Sequence, residues 1–286
     1  MTKTDGIEDL VKTVQKEIPI AKAKNTEEMW EKFLRIVFVG GGRGDAEISF
    51  ILKVLKNETS YDFVLKTRGE AWQEAVLSQL DLKMKKEKDE RKLQALESVK
   101  KEIWRLTASI KGSARYFERT KMSPAVLEKM CKDKDSSWEF IEELADDEDV
   151  TNIKFTKIII WLHSVGFAQD FCPPSRQVKD FINKDLELRY QFYEDDKFFM
   201  QKLQEFALKF SSSTVYDVSK AIFFFRTLKS MLNNRSTEYR KFTPDAMMGF
   251  MKRNNFSLKD INELLSDFDM RDGLPEQLHK FMSRRR

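Results

Sequence analysis

Along most of the chain, apolar side chains recur at steps of three and four, the spacing of helices with one buried stripe. Trp30, Phe33, Leu34, Val37 and Phe38 make the first stripe. Ile48, Ile51, Leu52 and Leu55 repeat it after the break Gly40-Gly41-Gly42-Arg43-Gly44, and Trp72, Val76, Leu77 and Leu80 form a third. A long, charge-laced segment then runs through Ile103, Trp104 and Leu106. Helix starts are marked chemically. Ser123-Pro124 and Thr243-Pro244 each set a capping hydroxyl ahead of a proline at the first helical position, and Ser136 to Glu139 and Ser257 to Asp260 have capping-box spacing. The β-branched stretches Arg35 to Val39 and Lys157 to Leu162 continue helical stripes and are read as helix.

Turn signals at Gly112-Ser113, Cys172-Pro173-Pro174-Ser175, Ser211-Ser212-Ser213 and Asp272-Gly273 divide the pattern into about ten to twelve helices. No repeat appears at a period of roughly 20–50 residues. The expectation is an all-α fold: an N-terminal helix over 1–24, a compact helical body over 25–235 that could be two-lobed, and a small helical appendage over 236–286. That appendage carries Met247, Met248, Met251, Phe256, Leu264, Leu265 and Phe268.

Composition narrows the class. The 286 residues are 41% hydrophobic and include 23 Phe, 6 Tyr and 5 Trp, enough burial to exclude a long disordered chain. Ten Gly and 6 Pro exclude collagen-like architecture. Cys131 and Cys172 cannot make a disulfide framework or a four-thiolate zinc site, and two His are too few for most His-based metal sites. No cofactor is implied. No apolar stretch approaches the roughly 18–20 residues that span a bilayer, and Met1 to Asp5 lack a signal peptide's apolar region. No membrane partner is expected. The expected location is the cytoplasm, the nucleoid within it, or a nucleus.

The net charge is +4, which permits a polyanionic partner without requiring one. Its distribution says more. Lys83 to Lys92 holds six basic and three acidic residues, the chain ends Arg284-Arg285-Arg286, and Glu139 to Asp149 holds seven carboxylates and no cation. The acidic run lacks the glycine and spacing of an EF-hand and reads as a solvated helix face. Gly40 to Asp45 is neither a P-loop nor a dinucleotide fingerprint, though its glycines and Arg43 suit close approach to a phosphate. Cys131 and Cys172 have no adjacent His to activate a thiol, and His163 and His279 read as structural or surface residues.

The segment from Asn152 to Asn183 is the most informative. An apolar helix ends at Val165-Gly166, and a new helix starts after Pro173-Pro174 with Ser175 near its N-terminus. Lys154 and Lys157 lie at the start of the apolar helix, where the dipole and partial desolvation lower an amine pKa. An amine lowered in this way can attack a sugar carbon and form a Schiff base.

Here the chain resembles the helix-hairpin-helix DNA glycosylases, most closely their archaeal 8-oxoguanine branch. In that family a lysine opens the hairpin's second helix, and a Pro-x-Asp-x-x-Val signature follows roughly eighteen residues later. Lys157 and Ser175 have that separation, and Pro173-Pro174-Ser175-Arg176-Gln177-Val178 overlays the signature except at its aspartate. A one-residue shift puts Thr156 at the lysine position. Trp30 to Leu55 looks like the family's early helices, and Phe198 to Leu228 like its closing ones. Departures are specific: Asn152 and Lys154 stand where the family has hairpin glycines, and Ser175 cannot supply a carboxylate's charge. Asp170 and Asp180 lie nearby but off the matching position.

The resemblance implies a base-excision-repair protein that binds DNA, with N-glycosylase and abasic-site lyase activity if catalysis survives, through Lys157, Lys154 and Ser175. Two alternatives stand beside it. One is a non-enzymatic nucleic-acid binder that contacts phosphates through a basic helix at 83–92, Arg115, Arg119, Lys121 and the Arg284 to Arg286 tail; for nucleic-acid binding in general the candidates are Arg43, Lys83, Lys85, Lys86, Arg115, Arg119, Arg176 and Lys179. The other is a helical scaffold that docks a protein through the acidic 139–149 face or the C-terminal appendage.

Overall fold

The computed structural model describes residues 11, 20–40, 43–168, 170–185, 196–210 and 213–232, with side chains omitted at 184–185 and 224–232. The described residues are all-α. They form twelve α-helices and no strand, with one isolated bridge between Gly40 and Arg43. Thr243-Pro244, Ser257 to Asp260, the 236–286 appendage, the Arg284 to Arg286 tail and all but Val11, Ile20, Ala21, Lys22, Ala23 and Lys24 of the N-terminal segment lie outside the described residues.

The chain divides into two units, Pro19–Ala168 and a second made of Met1–Ile18 with Gln169–Arg286. The division falls after Ala168, inside the body that sequence reading ran from 25 to 235.

The first unit holds nine helices: α1 (Thr26–Phe38), α2 (Asp45–Val54), α3 (Tyr61–Lys66), α4 (Gly69–Met84), α5 (Glu90–Lys101), α6 (Ile103–Arg119), α7 (Pro124–Met130), α8 (Lys134–Asp146) and α9 (Phe155–Ser164). The first three stripes are buried as the spacing requires, apart from the half-buried Leu77. Their aromatics meet in one cluster. Phe33 stacks on Trp30 and meets Phe117 and Trp161 edge-on at ring distances of 5.3 and 5.2 Å. Buried indoles need acceptors for their N–H groups, and three find backbone carbonyls: Trp30 on Thr59, Trp72 on Glu58 and Trp161 on Met29.

Ser123 caps α7 as its sequence indicates, its Oγ accepting from the Val126 amide beside Pro124. The cap of α8 is Asp133 rather than Ser136; its carboxylate accepts from the Ser136 amide and starts the helix three residues earlier than the capping-box reading. Helix α9 ends where expected. Gly166 adopts φ +82°, and the Phe167 amide returns to Leu162 O at 2.9 Å, a glycine-terminated helix end.

Two expectations are corrected. Gly112-Ser113 is no turn: both residues are buried inside α6. A methyl on Gly112 would sit 1.8 Å from the Asp149 carbonyl oxygen, so the glycine admits a neighbouring backbone rather than breaking its own helix. The basic run at 83–92 is not one helix. It ends α4, turns through Lys85 to Lys88, and enters α5 under the Asp89 cap, whose carboxylate accepts from Arg91 and Lys92 amides. Trp104 does not continue the buried stripe of α6, which runs through Ile103, Leu106, Ile110 and Phe117; its side chain faces water.

In the second unit, α10 (Arg176–Asp180) runs into a π-helical turn, Phe181–Asp185, and packs with α11 (Asp196–Ala207) and α12 (Val215–Leu232). Phe206 meets Phe181 and Phe210 at ring distances of 5.4 and 5.2 Å, and Phe198 meets Phe199 at 5.6 Å.

Candidate functional site

The turn after α1 helps to build a cluster in which two arginines share one carboxylate. Gly40 accepts the Arg43 amide at 3.2 Å, which folds the Arg43 side chain back beneath the helix end. Its Nε donates to Phe38 O at 2.9 Å, satisfying a last-turn carbonyl and placing a cation at the negative end of α1. The remaining guanidinium nitrogens donate to Ser98 Oγ at 2.7 Å and Glu102 Oε2 at 3.1 Å. The side chain is 1% exposed.

Glu102 also accepts from Arg105, three residues along, so one carboxylate serves two guanidinium groups. Burial pushes its pKa up, but the bonds from Arg105 and Arg43 outweigh that and hold it below the ordinary value. Lys157 enters from α9 and donates to Val39 O, at the long distance of 3.4 Å. Its amine pKa is lowered, first by burial and then by the Arg105 and Arg43 charges, with Glu102 opposing. Arg43 and Arg105 therefore share one carboxylate, and the Lys157 amine lies close enough to be affected by all three charges.

At the other end of α6 the same residue types are balanced. Arg115 Nε donates to Asp149 Oδ1 at 2.9 Å, and Arg119 reaches Asp149 Oδ2 at 2.6 Å and Asp147. Bonding from Arg115 is the first cause of a lowered Asp149 pKa. Gly112 lies on the same face of α6 as Arg115, and its missing side chain is what lets the Asp149 backbone approach.

These contacts sort the sequence-level candidates. Arg43 is enclosed, so its charge contributes a field while its guanidinium is unavailable to touch a phosphate. Arg115 and Arg119 are neutralised within the fold, and so are Asp147 and Asp149 of the acidic run. Within that run Phe140, Ile141, Leu144 and Ala145 are buried, so 139–149 is half of a packed helix face with its carboxylates outside. Lys83 pairs with Glu87 at 3.0 Å, while Lys85 and Lys86 are exposed.

Lys154 Nζ donates to Ala145 O at 2.8 Å, a cation on the last turn of α8. In the second unit, Ser175 is the N-cap of α10, its Oγ accepting from the Val178 amide at 3.3 Å. Lys179 pairs with Asp196 and lies 5.3 Å from the Phe199 ring centre, while Arg176 is exposed. Lys157 and Ser175 thus belong to different units, and the carboxylate that faces Lys157 is Glu102.

Glu102 and Arg105 were missed in the sequence. Their signal is the i,i+3 pairing at a helix start, but nothing local says that Arg43 and Lys157 converge on the same carboxylate from 59 and 55 residues away. Thiol chemistry gains no support from Cys131, where burial pushes the pKa up to about 11. No group of three or more metal-ligating residues occurs among the described residues, and no described helix is long and apolar enough to cross a membrane. Comparison with protein-family models, with curated proteins and with solved structures returns no match.

Proposed function

We propose that the chain binds nucleic acid through the surface around Lys157 and Arg105. The observation that carries this reading is the unbalanced cluster itself: Arg43, Arg105 and Lys157 around the single carboxylate Glu102. A partly exposed cation cluster with one counter-charge raises the local potential, and a phosphate backbone supplies what is missing. Arg43 sets the field, Arg105 and Lys157 stand nearest the ligand, and Lys85 and Lys86 add exposed charge elsewhere on the unit. The test is a binding titration of the full chain with DNA at about 50 and 200 mM salt, where phosphate contacts give a steep loss of affinity. Salt-insensitive binding, or none at either concentration, counts against the reading.

A second reading is favoured by Lys157 alone. Its amine is half-buried and lowered by burial and two guanidinium charges, so a larger neutral fraction is available as a nucleophile. Such an amine adds to the aldehyde carbon of an abasic sugar and loses water to form an imine; a C2′ proton then passes to solvent, the C2′=C3′ double bond forms, and the 3′ phosphate leaves by β-elimination. Borohydride reduces the imine to a stable amine and traps the adduct. A trapped adduct lost in Lys157→Ala but kept in Lys154→Ala supports abasic-site lyase chemistry. Ser175→Asp tests the glycosylase resemblance on an 8-oxoguanine duplex: increased base release supports it, and no increase removes its catalytic meaning.

A further inference from the structure

Four of the five tryptophans are buried: Trp30, Trp72, Trp138 and Trp161. The fifth, Trp104, is 74% exposed in the first turn of α6. It sits between Glu102 and Arg105, the pair that joins this helix to the cation cluster. Leaving an indole in water forgoes the stabilisation that burial of a large apolar side chain supplies, and the stripe of α6 is already complete without it. Two more apolar side chains face solvent beside the same cluster. Val39, whose carbonyl receives Lys157, is 44% exposed, and Ile160, one turn along α9 from Lys157, is 40% exposed.

A surface that joins cations to a flat exposed ring matches a ligand that is both anionic and flat. Duplex DNA offers phosphates and base edges but keeps its base faces stacked inside. Unpaired nucleotides offer both the phosphate and the face, and stack on aromatic side chains with little regard to sequence. We propose that Trp104 is a stacking platform for an unpaired base and that the cluster prefers single strands to duplex. This rests on the nucleic-acid reading above and specifies its substrate class.

The test measures binding of the full chain to a labelled mixed-sequence 12-mer single strand, the same 12-mer as duplex, and inorganic polyphosphate, for the wild type, Trp104→Ala and Trp104→Phe. The wild type should bind the single strand more tightly than the duplex. Trp104→Ala should weaken the single strand by about 5- to 100-fold, with Trp104→Phe losing less. Polyphosphate should be unaffected by either substitution. Equal single-strand affinity in Trp104→Ala overturns the stacking role and leaves the exposed indole to a protein partner. Parallel loss on polyphosphate also overturns it, because the residue would then only support the cluster. A wild type that binds none of the three probes overturns the nucleic-acid reading itself, before any substitution is considered.

Discussion

The two ends of helix α6 present similar residues to opposite effect. At its start, Arg105 shares the single carboxylate Glu102 with the enclosed Arg43, and Lys157 approaches the same group. At its end, Arg115 and Arg119 meet Asp147 and Asp149, two charges against two. The first arrangement leaves a field unanswered; the second is complete within the fold. Arginine in a sequence therefore says little about a polyanion until its carboxylates are known. Exposure misleads as well. Arg115 and Arg119 remain 60% and 54% exposed yet are already paired.

The balanced end depends on a glycine, and removing it should have the largest effect. Gly112→Ala drives a methyl into the Asp149 carbonyl oxygen, and overpacking of this kind costs about 3 kcal/mol where the obstacle is backbone. Denaturant unfolding should show a much lower midpoint, and the Asp149 contacts to Arg115 and Arg119 should be lost with it.

Asp149→Asn sharpens the same contrast more gently. It keeps the shape and removes the charge, so stability should fall by about 1 kcal/mol, the scale of partly exposed ion pairs. Polyanion affinity should rise several-fold as the Arg115 guanidinium is released, while Arg119 keeps Asp147. Unchanged affinity would mean that the balanced end is too far from the binding surface to matter. The pH dependence has a definite sign. The folded Asp149 carboxyl titrates below its unfolded value, through Arg115 bonding and despite some burial. Its stabilisation is therefore present above about pH 4 and lost as pH falls through the lower, folded value. The acid limb of a stability profile should be shallower in Asp149→Asn.

Lys157→Met should change stability least, by about 0.5 kcal/mol or less, and in the favourable direction. The folded amine pKa lies below the unfolded value, first through burial and then through Arg105 and Arg43, while Glu102 opposes. The folded state then binds fewer protons than the unfolded state between those two values. Stability from this group rises with pH across that interval, and the variant should lose that rise in alkaline unfolding experiments.

Helix identity was legible because one-sided burial imposes its period on the sequence. Trp30 to Phe38, Ile48 to Leu55 and the end of α9 at Gly166 all follow that logic. Gly112 was misread because glycine marks turns locally, whereas here it answers to the backbone of a segment 37 residues further along. The exposure of Trp104 was not legible, because an aromatic among apolar neighbours shows its side only once Ile103, Leu106 and Ile110 are placed on one face. Of the candidate site, Lys157 and Arg43 were visible as residue types, and partial burial of the Lys157 amine was expected, but the Arg105 and Arg43 charges that also lower it were not. Their meeting at Glu102 was not visible, because charge pairing between distant segments leaves no periodic trace.

The central claim is that the unanswered cations at the start of α6 hold the ligand and the balanced ones at its end do not. The direct measurement is the slope of log affinity against log salt for a single-stranded oligonucleotide, compared among the wild type, Lys157→Gln and Arg115→Gln. Removing one phosphate contact lowers the magnitude of that slope by about 0.7 on a single strand. The account predicts that reduction for Lys157→Gln and an unchanged slope for Arg115→Gln. A reduced slope in Arg115→Gln with none in Lys157→Gln would contradict it.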